Sequence, residues 1–158
     1  MFSLKEKVAL VTGARRGIGR GIALKLAEAG AGVAVADLDE AECRKVVGEI
    51  IDTGAEGLAL HLDVTNRVEM ESVVASVVEK FGRLDIFVNN AGICEFKPFL
   101  NLTDEDWDKT LTVNLKGYFH GAQAAAKEMV KAGRGGKIIN IASIAAAVGF
   151  PMLAHYCA

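Results

Sequence analysis

Five short apolar runs recur along the chain, and helical periodicity fills the gaps between them. The runs are "KVALVT" (7–12), "GVAVAD" (32–37), "GLALHLD" (57–63), "LDIFVNN" (84–90) and "KIINIAS" (137–143). Continuous runs of this kind read as strands buried on both faces. Residues 17–30 set Ile18, Ile22 and Leu26 on one helical face. Residues 39–53 do the same with Cys43, Val46, Val47, Ile50 and Ile51, and residues 66–81 with Met70, Val73, Val74, Val77, Val78 and Phe81. A single long helix is expected over 104–131, opened by Thr103 with Asp106 three residues on. Its apolar positions are Trp107, Leu111, Leu115, Tyr118, Phe119, Ala122, Ala126 and Met129. Strand–helix alternation with buried strands has few solutions. Parallel strands need right-handed crossovers, and the crossover helices cover both faces of the sheet. The expectation is an α/β fold: one doubly wound domain with strand order 3-2-1-4-5 and no internal boundary over 1–158.

The first strand runs into "VTGARRGIGRG" (11–21), which opens the first helix. Gly13 permits a sharp turn off the strand, and Gly17 and Gly19 let backbone approach a pyrophosphate closely. The helix N-terminus offers free N–H groups to the same phosphates. An ordinary glycine-rich turn is the alternative, and Asp37 counts against it. That residue ends the second strand, where a carboxylate accepts hydrogen bonds from an adenosine ribose and repels a 2′-phosphate. The expected cofactor is therefore NAD, with NADP second. Arg15 and Arg16 pull the other way, since either can pair with a 2′-phosphate. Ile18 and Leu38 are counted with this group as cofactor contacts.

With 18 basic and 20 acidic residues, net charge is -2. No field of that kind gathers nucleic acid. The three cysteines fit no metal spacing and no disulfide framework, so a reducing cytoplasm is the expected compartment and no metal is expected. No apolar stretch is long enough to span a membrane.

The motifs, taken together, resemble the short-chain dehydrogenases/reductases. "TGARRGIG" (12–19), "LDVT" (62–65), "NNAG" (89–92), Asn114 in "VNLKG", Ser143 in "IINIAS" and Tyr156 occur in that family's order. The resemblance covers essentially the whole chain and implies a Rossmann-type fold. It also implies hydride transfer between NAD(P) and a secondary alcohol or ketone. It places Asp63 and Val64 at the adenine, and Asn90, Ala91 and Gly92 under the cofactor, with Asn89 steadying the sheet. Val113 lies near the nicotinamide half, and Asn114 opens the middle of the long helix and holds a water. Ser143 binds the substrate oxygen. Tyr156 exchanges the proton and touches the cofactor. Cys94 and Phe96 fall on the substrate side or serve packing, and His155 is a loop residue. Family members commonly form homodimers or homotetramers, here through the long helix.

In the family pattern Tyr156 is followed four residues later by a lysine, which falls at position 160. The domain is therefore expected to continue past 158. A phenol ordinarily titrates near 10 and acts as a base near neutral pH only beside cations. Residues 1–158 alone are expected to be inactive. A dinucleotide-binding module without catalysis and a truncation product without function stand as alternatives.

Overall fold

The computed structural model describes residues 3–158. Its parallel sheet has five strands, β1 (Val8–Thr12), β2 (Gly32–Asp37), β3 (Gly57–His61), β4 (Ile86–Asn89) and β5 (Lys137–Asn140). Their order, β3-β2-β1-β4-β5, is the one the alternation predicts. The register pairs Val8 with Gly32, Ala9 with Ile86, and Val33 with Gly57. All strands point the same way, so the residues that follow β1, β2, β3 and β4 gather along one edge of the sheet. Several apolar runs outlast their strands, because Leu62, Asn90 and Ile141 already lie past the last ladder pair.

Alternate residues of each strand enter opposite cores. On one face Val8, Leu10, Ala34, Ala36 and Phe87 pack against α3 (Arg67–Phe81) and α5 (Gly117–Lys131) through Met70, Val74, Val77, Ala125 and Met129. On the other face Val11, Val33, Val35 and Val88 meet α1 (Gly17–Glu28) and α2 (Glu40–Asp52) through Ala23, Ala27, Cys43, Val46 and Ile50.

Two helical faces differ from the sequence reading. In α1 the buried residues are Gly19, Ala23 and Ala27, whereas Ile18 is 70% exposed. Small side chains let this helix lie close to the sheet, while Ile22 and Leu26 pack half-buried at the edge of that core. In α2, Ile51 likewise points out.

The long helix expected over 104–131 is interrupted where the resemblance opens it, around Asn114. α4 (Asp104–Leu111) gives way to a π-helical segment, Thr112–Lys116, before α5 begins. The Gly117 N–H donates to the Thr112 carbonyl, five residues back instead of four. One extra residue in the turn rotates everything after it by about 100°. Leu115 and Phe119, expected inward, are 65% and 52% exposed, and Gly117, His120, Gly121, Ala124 and Ala125 are buried instead. Beyond α5, β5 forms one edge of the sheet with all four of its residues exposed.

Candidate active site

Thr12, buried at the end of β1, ties two loops together. Its Oγ1 accepts hydrogen bonds from the backbone N–H groups of Asn90 (3.1 Å) and Ala91 (3.2 Å) and donates to the Val88 carbonyl (3.3 Å). Asn90 Nδ2 donates in return to the carbonyls of Thr12 and Gly13, each at 2.9 Å. The contact leaves no room for side chains. A Cβ on Gly13 (φ +65°) would lie 2.6 Å from Ala91 Cα, and one on Gly19 would lie 2.4 Å from Asn90 Nδ2.

The helices differ in how they begin. Asp39 caps α2 by accepting from the Glu42 N–H, Asn66 caps α3 by accepting from the Glu69 N–H, and Thr103 with Asp106 forms a capping box on α4. α1 starts at Arg16 with no side-chain cap and no acidic residue in its first turn. Its first N–H groups therefore lack the partner that α2, α3 and α4 supply, and they face a cleft. This fits the anionic pyrophosphate of a dinucleotide.

Asp37 ends β2 beside this loop. The Arg15 backbone N–H reaches its Oδ2 (3.4 Å), the Arg15 Nε lies 3.3 Å from its Oδ1, and the Leu38 N–H donates to Oδ1 (2.8 Å). A second Arg15 nitrogen is 3.9 Å from Asp39. Arg16 is exposed and makes no ion pair among the described residues. Behind them sits Cys43, whose thiol is pushed up to about 12 by burial first and then by Asp37, Asp39 and Glu40, with Arg15 opposing. A thiol in that state is inert.

After β3, Asp63 closes its own turn by accepting from the Thr65 N–H (2.9 Å) and hydroxyl (2.7 Å). Asn114, inside the π segment, holds the loop that follows "NNAG". Its Oδ1 accepts from the Ile93 N–H and its Nδ2 donates to the Ile93 carbonyl, both at 2.8 Å. Asn89, buried, donates to the Tyr118 carbonyl (3.1 Å) and to Asn140 Oδ1 (2.9 Å), so it joins β4 to α5 and β5.

These residues enclose one cleft of about 400 Å³ at the carboxyl ends of the strands. Gly13, Arg15, Arg16, Gly17, Ile18, Gly19, Asp37, Leu38, Asp63, Val64, Asn90, Ala91, Gly92 and Val113 all line it. Leu62 and Ile93 line it too and were missed; each adjoins a motif residue, which is the signal that could have found them. A cleft of about 440 Å³ opens at the opposite end of the sheet, lined by Lys7, Lys80 and Arg83 among others. Its cations are paired with Asp85 and Glu56, and none of the sequence motifs reaches it.

Ser143 and Tyr156 stand apart from the cleft lining. Ser143 follows β5 and accepts from the Ala145 N–H (3.2 Å) through its Oγ. Tyr156, expected among the cofactor contacts, lies on the short α6 (Ala154–Cys157), half-buried, and the cleft is walled by other loops. No hydrogen bond joins Ser143 to Tyr156 among the described residues. Tyr118 is a neighbour that sequence reasoning treated only as core. Its hydroxyl donates to the Ile141 carbonyl (2.9 Å), and burial, followed by the nearby Tyr156 phenol, raises it above the ordinary phenol range. His155, expected in a loop, is buried within α6. Cys94 and Phe96 are both exposed.

Among the described residues no cluster of metal-ligating side chains occurs, and no helix is long and apolar enough to cross a membrane.

The model of the short chain dehydrogenase family matches residues 7–158. An L-2,3-butanediol dehydrogenase of Corynebacterium glutamicum is 44% identical over 153 residues, covering 96% of this chain and 59% of that protein. A 3-oxoacyl-(acyl-carrier-protein) reductase of Staphylococcus aureus is 43% identical, covering 96% of this chain and 62% of its own. The crystal structure of a short-chain type dehydrogenase/reductase from Mycobacterium marinum superposes with a TM-score of 0.96 at 38% identity, covering 99% of this chain and 64% of that one. The chain thus spans about three-fifths of the length of these relatives.

Proposed function

The chain belongs to the short-chain dehydrogenase family, and from that premise we propose that the whole protein transfers hydride between NAD and a secondary alcohol or ketone. The observation that carries this reading is the single cleft onto which the glycine loop, Asp37, Asp63–Val64 and the "NNAG" turn all open. The uncapped start of α1 holds the pyrophosphate, Asp37 the adenosine ribose, and Val64 the adenine face. Bound nicotinamide supplies the hydride acceptor or donor. Ser143 holds the substrate oxygen and Tyr156 moves the proton at that oxygen. The exchange needs a lysine beside the phenol, which the family pattern places at position 160. Exposed Leu115 and Phe119 on the long helical region support pairing of two copies of the whole protein. The cytoplasm is the compartment that scattered, unpaired cysteines suit.

The test is NADH formation by the full-length protein across a panel of diols, polyols and other secondary alcohols. Turnover that vanishes in Tyr156→Phe and falls steeply in Ser143→Ala is the expected result. Full activity in Tyr156→Phe would overturn the assignment of the proton step.

A further inference from the structure

We infer that His120, a residue of α5 outside the cleft lining, is a positioning residue for the adenosine half of the cofactor, and this rests on the cofactor reading above. His120 is 4% exposed, and its Nδ1 lies 3.2 Å from the carbonyl oxygen of Val64. A carbonyl only accepts, so Nδ1 carries the hydrogen and the contact fixes the ring orientation. Among the described residues nothing else donates to this carbonyl. Asp63 and Thr65 satisfy one another on the near side of the turn, and the Asn66 N–H goes to the Asp63 carbonyl (3.0 Å). The Val64 backbone is thus held from α5.

The same helix holds the Val64 side chain. Gly117, one turn earlier, packs so closely that a Cβ there would lie 3.0 Å from Val64 Cγ2. Gly117 and His120 are i and i+3 on one face. One leaves space for the Val64 side chain and the other holds its carbonyl. Val64 itself lines the cleft and belongs to the large core that includes α3 and α5. The depth of the adenine wall is therefore set by a hydrogen bond whose donor never meets the ligand. Removing the donor leaves a buried carbonyl unpaired, and the turn has to move to hydrate it.

The experiment compares the full-length protein with His120→Leu and His120→Asn. Calorimetry with ADP-ribose reads the adenosine half directly, and steady-state kinetics with NAD separates KM from kcat. In His120→Leu we expect Kd for ADP-ribose to rise roughly five- to tenfold. KM for NAD should rise in step, with kcat unchanged. Asn, whose amide nitrogen reaches the place of Nδ1, should recover most of the loss. If His120→Leu does not fold, His120→Gln takes its place, since its amide lies one bond too far along. A folded variant lacking the donor whose Kd stays within about twofold of the unaltered protein, or an Asn variant no better than Leu, overturns the positioning role while leaving the cofactor reading intact. Failure of the unaltered protein to bind ADP-ribose overturns the cofactor reading itself.

Discussion

Arg15 and Asp37, which argue for opposite cofactors in the sequence, are partners in the structure. Guanidinium Nε and carboxylate Oδ1 are 3.3 Å apart, and the Arg15 main chain bonds the same carboxylate. One of the two cations that a 2′-phosphate could use is thus already engaged. The unmodified full-length protein should therefore prefer NAD in kcat/KM. Asp37→Ala should narrow or reverse that preference by releasing Arg15 as well as by removing repulsion. Arg15→Ala should widen it. A clear NADP preference before any substitution contradicts this account.

The glycine loop offers a graded series. Gly13→Ala combines positive φ with a clash against Ala91 backbone, and Gly19→Ala drives a methyl into Asn90 and the Gly13 carbonyl. Each should cost about 2–4 kcal/mol of stability. Gly17→Ala meets no atom within 4 Å and carries only its φ of +59°, so about 1 kcal/mol is expected. Denaturant midpoints of the three variants provide the check, and equal losses would show that space is not the deciding term.

Thr12→Val should cost about 1–3 kcal/mol, because the N–H groups of Asn90 and Ala91 lose their acceptor at a part-buried position. Thr12→Ser keeps the oxygen and should lose much less. The same pair of variants should separate in affinity for ADP-ribose, since the "NNAG" turn is what Thr12 anchors.

Asp85 gives the fold an acid limit. Burial alone would raise its carboxyl, but hydrogen bonds from Arg83 and the Val8 N–H, with the charges of Arg83 and Lys7, outweigh it and hold it below the ordinary carboxylate range. A depressed folded-state value means the stabilisation is complete above the unfolded value of about 3.9 and lost as pH falls through the folded one. Asp85→Asn should lower the urea midpoint at pH 7, and the gap between variant and unmodified protein should close below about pH 4. A gap that is constant with pH would remove Asp85 as the cause.

The sheet order and nearly all of the cleft lining were legible in the sequence. The runs around Leu10, Val35 and Val88 are too short for helices and continuously apolar, as strands buried on both faces are, and the motif residues sit where those strands end. The interruption of the long helix was legible only through the resemblance, which opens it at Asn114. The rotation that follows was not legible: Leu115 and Phe119 continue an acceptable apolar stripe from Trp107, and their spacing does not announce an extra residue in the turn. His120 was hidden for the same reason, since its burial follows from the rotated face. Pairing of Arg15 with Asp37 depends on two loops meeting in space, which spacing along the chain does not encode.

The widened turn at Thr112–Lys116 also makes this stretch sensitive to length rather than to composition. It holds one residue more than an α-helix would use. Deleting any single residue between Thr112 and Lys116 would let α4 and α5 fuse into one regular helix, a gain in local geometry. That repair would swing α4 around the axis of α5, detaching Asn114 from Ile93 and displacing Thr110 from its buried seat. A shorter sequence would thus make a better helix and a poorly braced cleft, whereas many point substitutions on the outer side of the segment should pass unnoticed.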